Sequence, residues 1–218
     1  MGYVALIFSV LLLPVLYSGF LLWYREDFHE EENRRKKPLR SKGELIVLAV
    51  SEAALLRIWY ALGMEGFSSL RFCLLYVMLA GITFFCVTDL WEHVVPNKIL
   101  LLLLMIFIII LGIHGLIHPD VVLELLPAII LGLLFCALSF GLGYLISRKS
   151  MGAGDVKLAL VMGLYLTGEY VVGAILYGCL VSAGYSLIQM ARKKLSRKDQ
   201  IPFVPFLYIG VIIRYLIG

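Results

Sequence analysis

Two carboxylates stand apart in a chain whose other acidic residues mostly occupy polar loops. Asp89 closes the apolar run LLYVMLAGITFFCVTD (74–89) and leads into LWEHVVPNKI (90–99). Asp155 opens another apolar stretch within RKSMGAGDVKLALVMG (148–163), with Gly152 and Gly154 ahead of it and Lys157 behind. A charged side chain at the centre of a membrane helix costs about 2.5–3.5 kcal/mol on insertion scales and less near the interface, so water, a partner or a proton usually relieves it. If these two share a site, their like charges separate the titrations and hold one proton between them. One is then a base and the other an acid. Such a pair activates water for attack on a peptide carbonyl and protonates the oxygen or the leaving nitrogen.

Each residue also has a plainer reading. An aspartate before an apolar helix is an ordinary N-cap, with Gly152 and Gly154 making the turn. Asp89 could simply end a helix at the interface. Lys157 either extends toward the headgroups or balances the charge of a site. Glu92 and His93 suit a loop or headgroup role, and a lone histidine is weak evidence for a metal. His114 and His118 are four apart, but Pro119 interrupts a zinc-like helical pair. The cysteines, Cys73, Cys86, Cys136 and Cys179, lie in apolar runs without a CxxC pair and read as small buried hydrophobes. No metal or cofactor is expected.

The elements that would position these residues are apolar helices. Of 218 residues, 61% are hydrophobic and 16% charged, which is not a globular average. Membrane-length apolar segments run at about 3–24, 45–62, 70–88, 97–117, 121–146 and 169–190, with shorter ones at 156–167 and 203–217. A crossing takes about 20 residues, so the two short segments need support from neighbours. The first run lacks a basic residue before its apolar core and reads as a retained span, not a cleaved signal. The fold class expected is all-α and polytopic, with about eight transmembrane helices in one membrane-embedded domain over 1–218.

Of the 19 lysines and arginines, all but Arg57, Arg71 and Arg214 fall in alternate loops or at their edges. The positive-inside rule makes that side cytoplasmic and puts both termini outside. Asp89 and Asp155 then lie at the same cytoplasmic boundary. The formal net charge of +4 is thus a topology signal, and no nucleic-acid partner is expected. The short cytoplasmic loop at 25–44, REDFHEEENRRKKPLRSKGE, is an acidic block followed by a basic one. Its basic half suits anionic headgroups, and Glu26, Asp27, Glu30, Glu31 and Glu32 suit a basic partner. Pro96 marks the turn into the span at 97–117. Pro202 and Pro205 fix the approach to the last span. The glycines of GLGYL (141–145), with Gly163, Gly173, Gly178 and Gly184, suit close helix packing.

Three ordered segments resemble the GxGD-type intramembrane aspartic peptidases, specifically the type 4 prepilin peptidases. They are Asp89 with EHVVPNKI (92–99), GAGDVKLA (152–159), and IPFVPFLYIG (201–210). GxGD alone is a short motif, but the three in this order and topology cover nearly the whole chain. The resemblance implies that Asp89 and Asp155 are a metal-free catalytic pair. It implies that Gly152 and Gly154 admit Asp155 or substrate backbone to a cleft that Lys157 and Pro96 help to shape. The implied partner is a prepilin or pseudopilin-like substrate, whose basic leader is removed at the bacterial cytoplasmic membrane while its hydrophobic helix stays among the lipids. The chain departs from many bacterial members in having only 25–44, without cysteine, where they carry a zinc-binding methyltransferase domain. It also has Asn97 after Pro96, where aspartate is common. A proton-coupled transporter and a noncatalytic assembly scaffold are the rival functions. A midplane relay would favour deeper carboxylates.

Overall fold

The computed structural model describes residues 11–19, 42–65, 69–146, 152–193 and 201–217. The acidic half of the 25–44 loop lies outside the described residues, as do Arg148 and Lys149. The described residues form helices: α1 (residues 11–19), α2 (Lys42–Glu65), α3 (Ser69–Glu92), α4 (Asn97–Ile117), α5 (Pro119–Ile146), α6 (Ala153–Ala191) and α7 (Val204–Ile217). Among these residues four segments are long and apolar enough to cross a membrane: Leu70–Leu90, Asn97–Ile117, Pro119–Ile146 and Tyr170–Ala191. They correspond to four of the expected spans, and α2 covers the stretch expected at 45–62. The protein is a multi-pass membrane protein.

α6 is two helices in one. Thr167 has φ 60° and ψ 175° and interrupts the helix between two arms. A straight rod of α6's length would put Ala153 about 48 Å from Tyr185. Yet the start of α7 meets both. Pro202 and Phe203 line a cleft with Ala153, and Phe206 packs its ring 5.4 Å from that of Tyr185. The arms therefore double back at Thr167, as the separate stretches 156–167 and 169–190 predict. A β-branched residue at this φ is strained. Counting the arms separately gives eight helical segments.

α3 is the central helix. Its apolar window is 78% buried, whereas those of α4, α5 and the second arm of α6 are each 22% buried. The outer helices expose leucine and isoleucine, including Leu101, Ile108, Leu116 and Leu131. Their inner faces approach closely through glycine. A Cβ on Gly132 would lie 2.5 Å from the Gly163 carbonyl oxygen, so α5 and the first arm of α6 pack backbone to backbone. Gly173 meets Arg214, and Gly178 meets α7, as packing glycines should. Gly141 and Gly184 face open space and do not serve the packing expected of them. Cys86 and Cys136 are buried, while Cys179 is exposed on the outer surface.

The two short helices carry the ends that matter. The first arm of α6 and α7 each rise only about 21 Å, short of a 30 Å hydrocarbon layer. Tyr165 holds the first arm to α4, donating its hydroxyl to the Leu103 carbonyl at 2.6 Å beside Phe107. α7 packs against α2, α3 and α6. Both begin at the same cleft, to which α3 brings its C-terminal end.

Candidate active site

α3 ends at Glu92 because His93 takes a left-handed conformation, φ 53°, while its N–H still bonds the Asp89 carbonyl at 3.0 Å. The chain then runs extended through Pro96, which caps α4. The Pro96 carbonyl accepts the N–H groups of Ile99 and Leu100, each at 3.2 Å. This turn keeps Asp89 at the end of α3 and folds Val94, Val95 and Asn97 around a cleft of about 420 Å³. Pro96 itself is buried behind the cleft and does not line it.

Asp155 reaches the same cleft from α6. It is not the N-cap of that helix: Gly152 holds that position, and Asp155 is the third helical residue. Its backbone N–H bonds the Gly152 carbonyl at 3.1 Å. Its carboxylate in turn accepts the Gly152 N–H, so the side chain closes the first turn by reaching back. A Cβ on Gly152 would crowd the Asp155 Oδ2 at 3.3 Å, and one on Gly154 would sit 3.1 Å from the Val95 Cβ. The two glycines thus let the start of α6 approach both its own carboxylate and the segment leaving α3. Gly152 has φ −69°, so close approach, not an unusual backbone, is what requires it.

Asp89 is almost fully buried, at 5% exposure, and its Oδ2 accepts the Val204 N–H at 3.0 Å. The sequence of α7 explains why that donor is available. Pro205 has no N–H, and the N–H groups of Phe206 and Leu207 both bond the Phe203 carbonyl. The Val204 N–H in this first turn is directed to Asp89. The starts of α4, α6 and α7 all converge on the cleft, and a helix start carries partial positive charge that favours carboxylates. This donor was not evident from the sequence; the prolines on either side of Val204 were the available signal.

Burial, and after it the negative charge of Asp89, raise the Asp155 carboxyl from its ordinary value to about 6, with the Gly152 N–H working in the opposite direction. The charge of Asp89 is thus felt at Asp155 across the cleft. Lys157 also lines it and donates from Nζ to the Asn97 Oδ1 at 2.9 Å. Because Asn97 is neutral, this bond holds the ammonium without cancelling its charge. His93 lines the cleft as well. Among the described residues, no three His, Cys, Asp or Glu side chains converge as a candidate metal site. The remaining wall, Val94, Val95, Ile201, Pro202 and Phe203, is apolar. The arrangement places two carboxylates beside an apolar surface.

The profile of the type IV leader peptidase family matches residues 73–187. That interval contains both aspartates and the glycine motif, while the start of α7 lies beyond it. The chain is also 28% identical over 175 residues to the prepilin leader peptidase/N-methyltransferase of Bacillus subtilis (strain 168), an alignment covering 80% of this chain and 64% of that protein. The chain thus spans less than two thirds of the relative's length. No solved structure matches.

Proposed function

The chain belongs to the type IV leader peptidase family, and on that premise we propose that it is a membrane aspartic endopeptidase acting on prepilin or pseudopilin-like precursors. The observation that carries this reading is the placement of Asp89 and Asp155, 66 residues apart in sequence, on one cleft. Asp89 takes the Val204 N–H, a bond that favours its charged form, and serves as the base. Asp155, with its carboxyl raised to about 6, serves as the acid.

Water between them attacks the scissile carbonyl carbon as Asp89 removes its proton and Asp155 protonates the carbonyl oxygen. The tetrahedral intermediate then expels the amine. Asp89 gives its proton to the leaving nitrogen, the C–N bond breaks, and Asp155 recovers a proton from the intermediate's hydroxyl as the new carboxyl forms. Each carboxyl returns to its starting state. Gly152 and Gly154 leave room for Asp155 and extended substrate backbone, and Lys157 with Asn97 borders the cleft. No metal or cofactor enters these steps.

The substrate proposed has a basic leader that lies near the carboxylates and an apolar helix that continues along the Val94, Val95 and Phe203 wall. The exposed leucine and isoleucine of α4 and α5 suit lipid contact, and the bacterial cytoplasmic membrane is the proposed location. The methylating activity in the relative's name is not assigned to this chain. The interval 25–44 contains no cysteine for the zinc site of such a domain. Purified wild type and the Asp89→Asn and Asp155→Asn variants, incubated separately with a precursor, test the proposal. Leader release by wild type and its loss in both variants supports it; release undiminished in either variant ends it.

A further inference from the structure

The Val204 N–H meets Asp89 only when α7 stands at one height against α3. A slip of one residue moves the backbone about 1.5 Å along the axis, enough to break a bond of this length. One turn beyond Val204, Tyr208 directs its hydroxyl into a buried cluster with Ser51 of α2 and Thr83 of α3. Tyr208 donates to the Val47 carbonyl at 2.8 Å and lies 2.9 Å from the Ser51 Oγ. Ser51 lies 2.9 Å from both the Thr83 Oγ1 and the Val47 carbonyl, and Thr83 donates to the Leu79 carbonyl at 2.6 Å. Three hydroxyl protons serve these five contacts, so they are shared, and the two backbone carbonyls fix where the group sits.

We infer that this hydroxyl cluster is a positioning device: it sets the height of α7 so that the Val204 N–H lands on Asp89. The inference rests on the reading of Asp89 as the base. Thr83 lies about 9 Å along α3 from Asp89, and Tyr208 about 6 Å along α7 from Val204. The two attachments therefore tie the same pair of helices at successive levels. The titratable groups facing Asp89 are Asp155 of α6, His93 and Cys86 of its own segment, and Lys157 across the cleft. None belongs to the cluster. Its influence on Asp89 runs through the backbone of α7.

The hydroxyl cluster adds directional contacts to the apolar packing of α7. Gly178 and Gly210 meet on the α6–α7 seam with no side chain to interlock, whereas a hydroxyl reaching a buried carbonyl has one favourable place to stop. Tyr208 is the member that joins α7 to the rest. Without it, Ser51 can still bond Val47 and Thr83, leaving α2 and α3 joined and α7 released. Without Ser51, Tyr208 still reaches Val47. The cluster predicts that Tyr208→Phe has a larger effect than Ser51→Ala.

The test uses the full chain in lipid nanodiscs and a synthetic precursor with a basic leader and an apolar helix. In Tyr208→Phe the acidic limb of the cleavage profile moves up by about half to one pH unit, as expected when a carboxylate loses a backbone donor, while KM stays within about twofold. Thr83→Val, which cuts the α3 leg, moves the limb in the same direction. Tyr215→Phe is the control, since it removes another buried hydroxyl of α7, one without a hydrogen-bond partner among the described residues; its profile matches wild type. Amide exchange across 201–210 speeds up in Tyr208→Phe and not in the control. If Tyr208→Phe and Thr83→Val both keep the wild-type limb and exchange while Asp89→Asn is inactive, the positioning role is wrong and the dyad stands. If Asp89→Asn cleaves normally, the dyad reading fails and this inference with it.

Discussion

The ends of α3 and α6 supply similar carboxylates under opposite local conditions. Asp89 sits in the last turn of α3, where the helix's own partial charge is negative and disfavours an anion, whereas Asp155 sits in the first turn of α6, where it is positive. Local structure alone would make Asp155 the more readily ionised. The assembled fold works against this preference. α7 brings a backbone N–H to Asp89, while burial and the charge of Asp89 raise Asp155 to about 6. The proposed division of labour rests on which helix start faces which carboxylate, a property of packing.

Removing either carboxyl group is the harshest way to break that comparison. Asp89→Asn and Asp155→Asn each lower kcat by about 10³-fold or more, since each removes one whole proton transfer. Their stabilities differ, however. Asp155 has a folded pKa above its ordinary value, so it binds a proton more tightly when folded. Its contribution favours folding as pH falls toward that ordinary value and disfavours it above about pH 6. Asp155→Asn mimics the neutral form and raises the melting temperature at pH 7.5 while abolishing cleavage, as a thermal scan beside an assay will show.

Crowding the glycines sharpens the comparison next. Gly154→Leu pushes the start of α6 off Val95 and lowers kcat/KM by about 10²-fold, the scale of a 1 Å misplacement. Gly152→Ala acts on the Asp155 side chain and costs less. The pH profile is gentler to read. With Asp155 as the acid, log kcat/KM falls with a slope of about −1 above pH 6 in the wild type. Asn97→Asp places a carboxylate beside Lys157 and moves that descending limb upward by a few tenths of a pH unit.

Sequence reading reaches the parts of this arrangement that repeat along the chain. Apolar run lengths place α3, α4 and α5, and the gap between 156–167 and 169–190 anticipates the turn at Thr167. Asp89, Asp155 and the glycine pair are visible because charge is scarce in such a chain and each sits at the boundary of an apolar run. The Val204 donor is not visible, since every residue except proline carries a backbone N–H and only packing says where one points. Ser51, Thr83 and Tyr208 each look like a stray hydroxyl in an apolar segment. Their meeting depends on three helices at a common height, which spacing within one helix does not encode.

The least disruptive prediction concerns the turn far from the cleft. Thr167→Gly relieves a backbone conformation that a β-branched residue adopts at a cost of about 1–3 kcal/mol, so thermal stability rises or holds and cleavage is unchanged. A loss of cleavage in a folded variant would mean that the turn influences the cleft through the first arm of α6.

The central claim is that Asp89 and Asp155 meet across one cleft and share a proton. The direct measurement is the titration midpoint of Asp155, followed by pH-dependent carbodiimide labelling and mass spectrometry in wild type and in Asp89→Asn. The wild-type midpoint should lie at about 6 and move down when the neighbouring charge is removed, remaining above 3.8 because burial persists. A midpoint that does not respond to the loss of Asp89 would mean that the two carboxylates do not share a site.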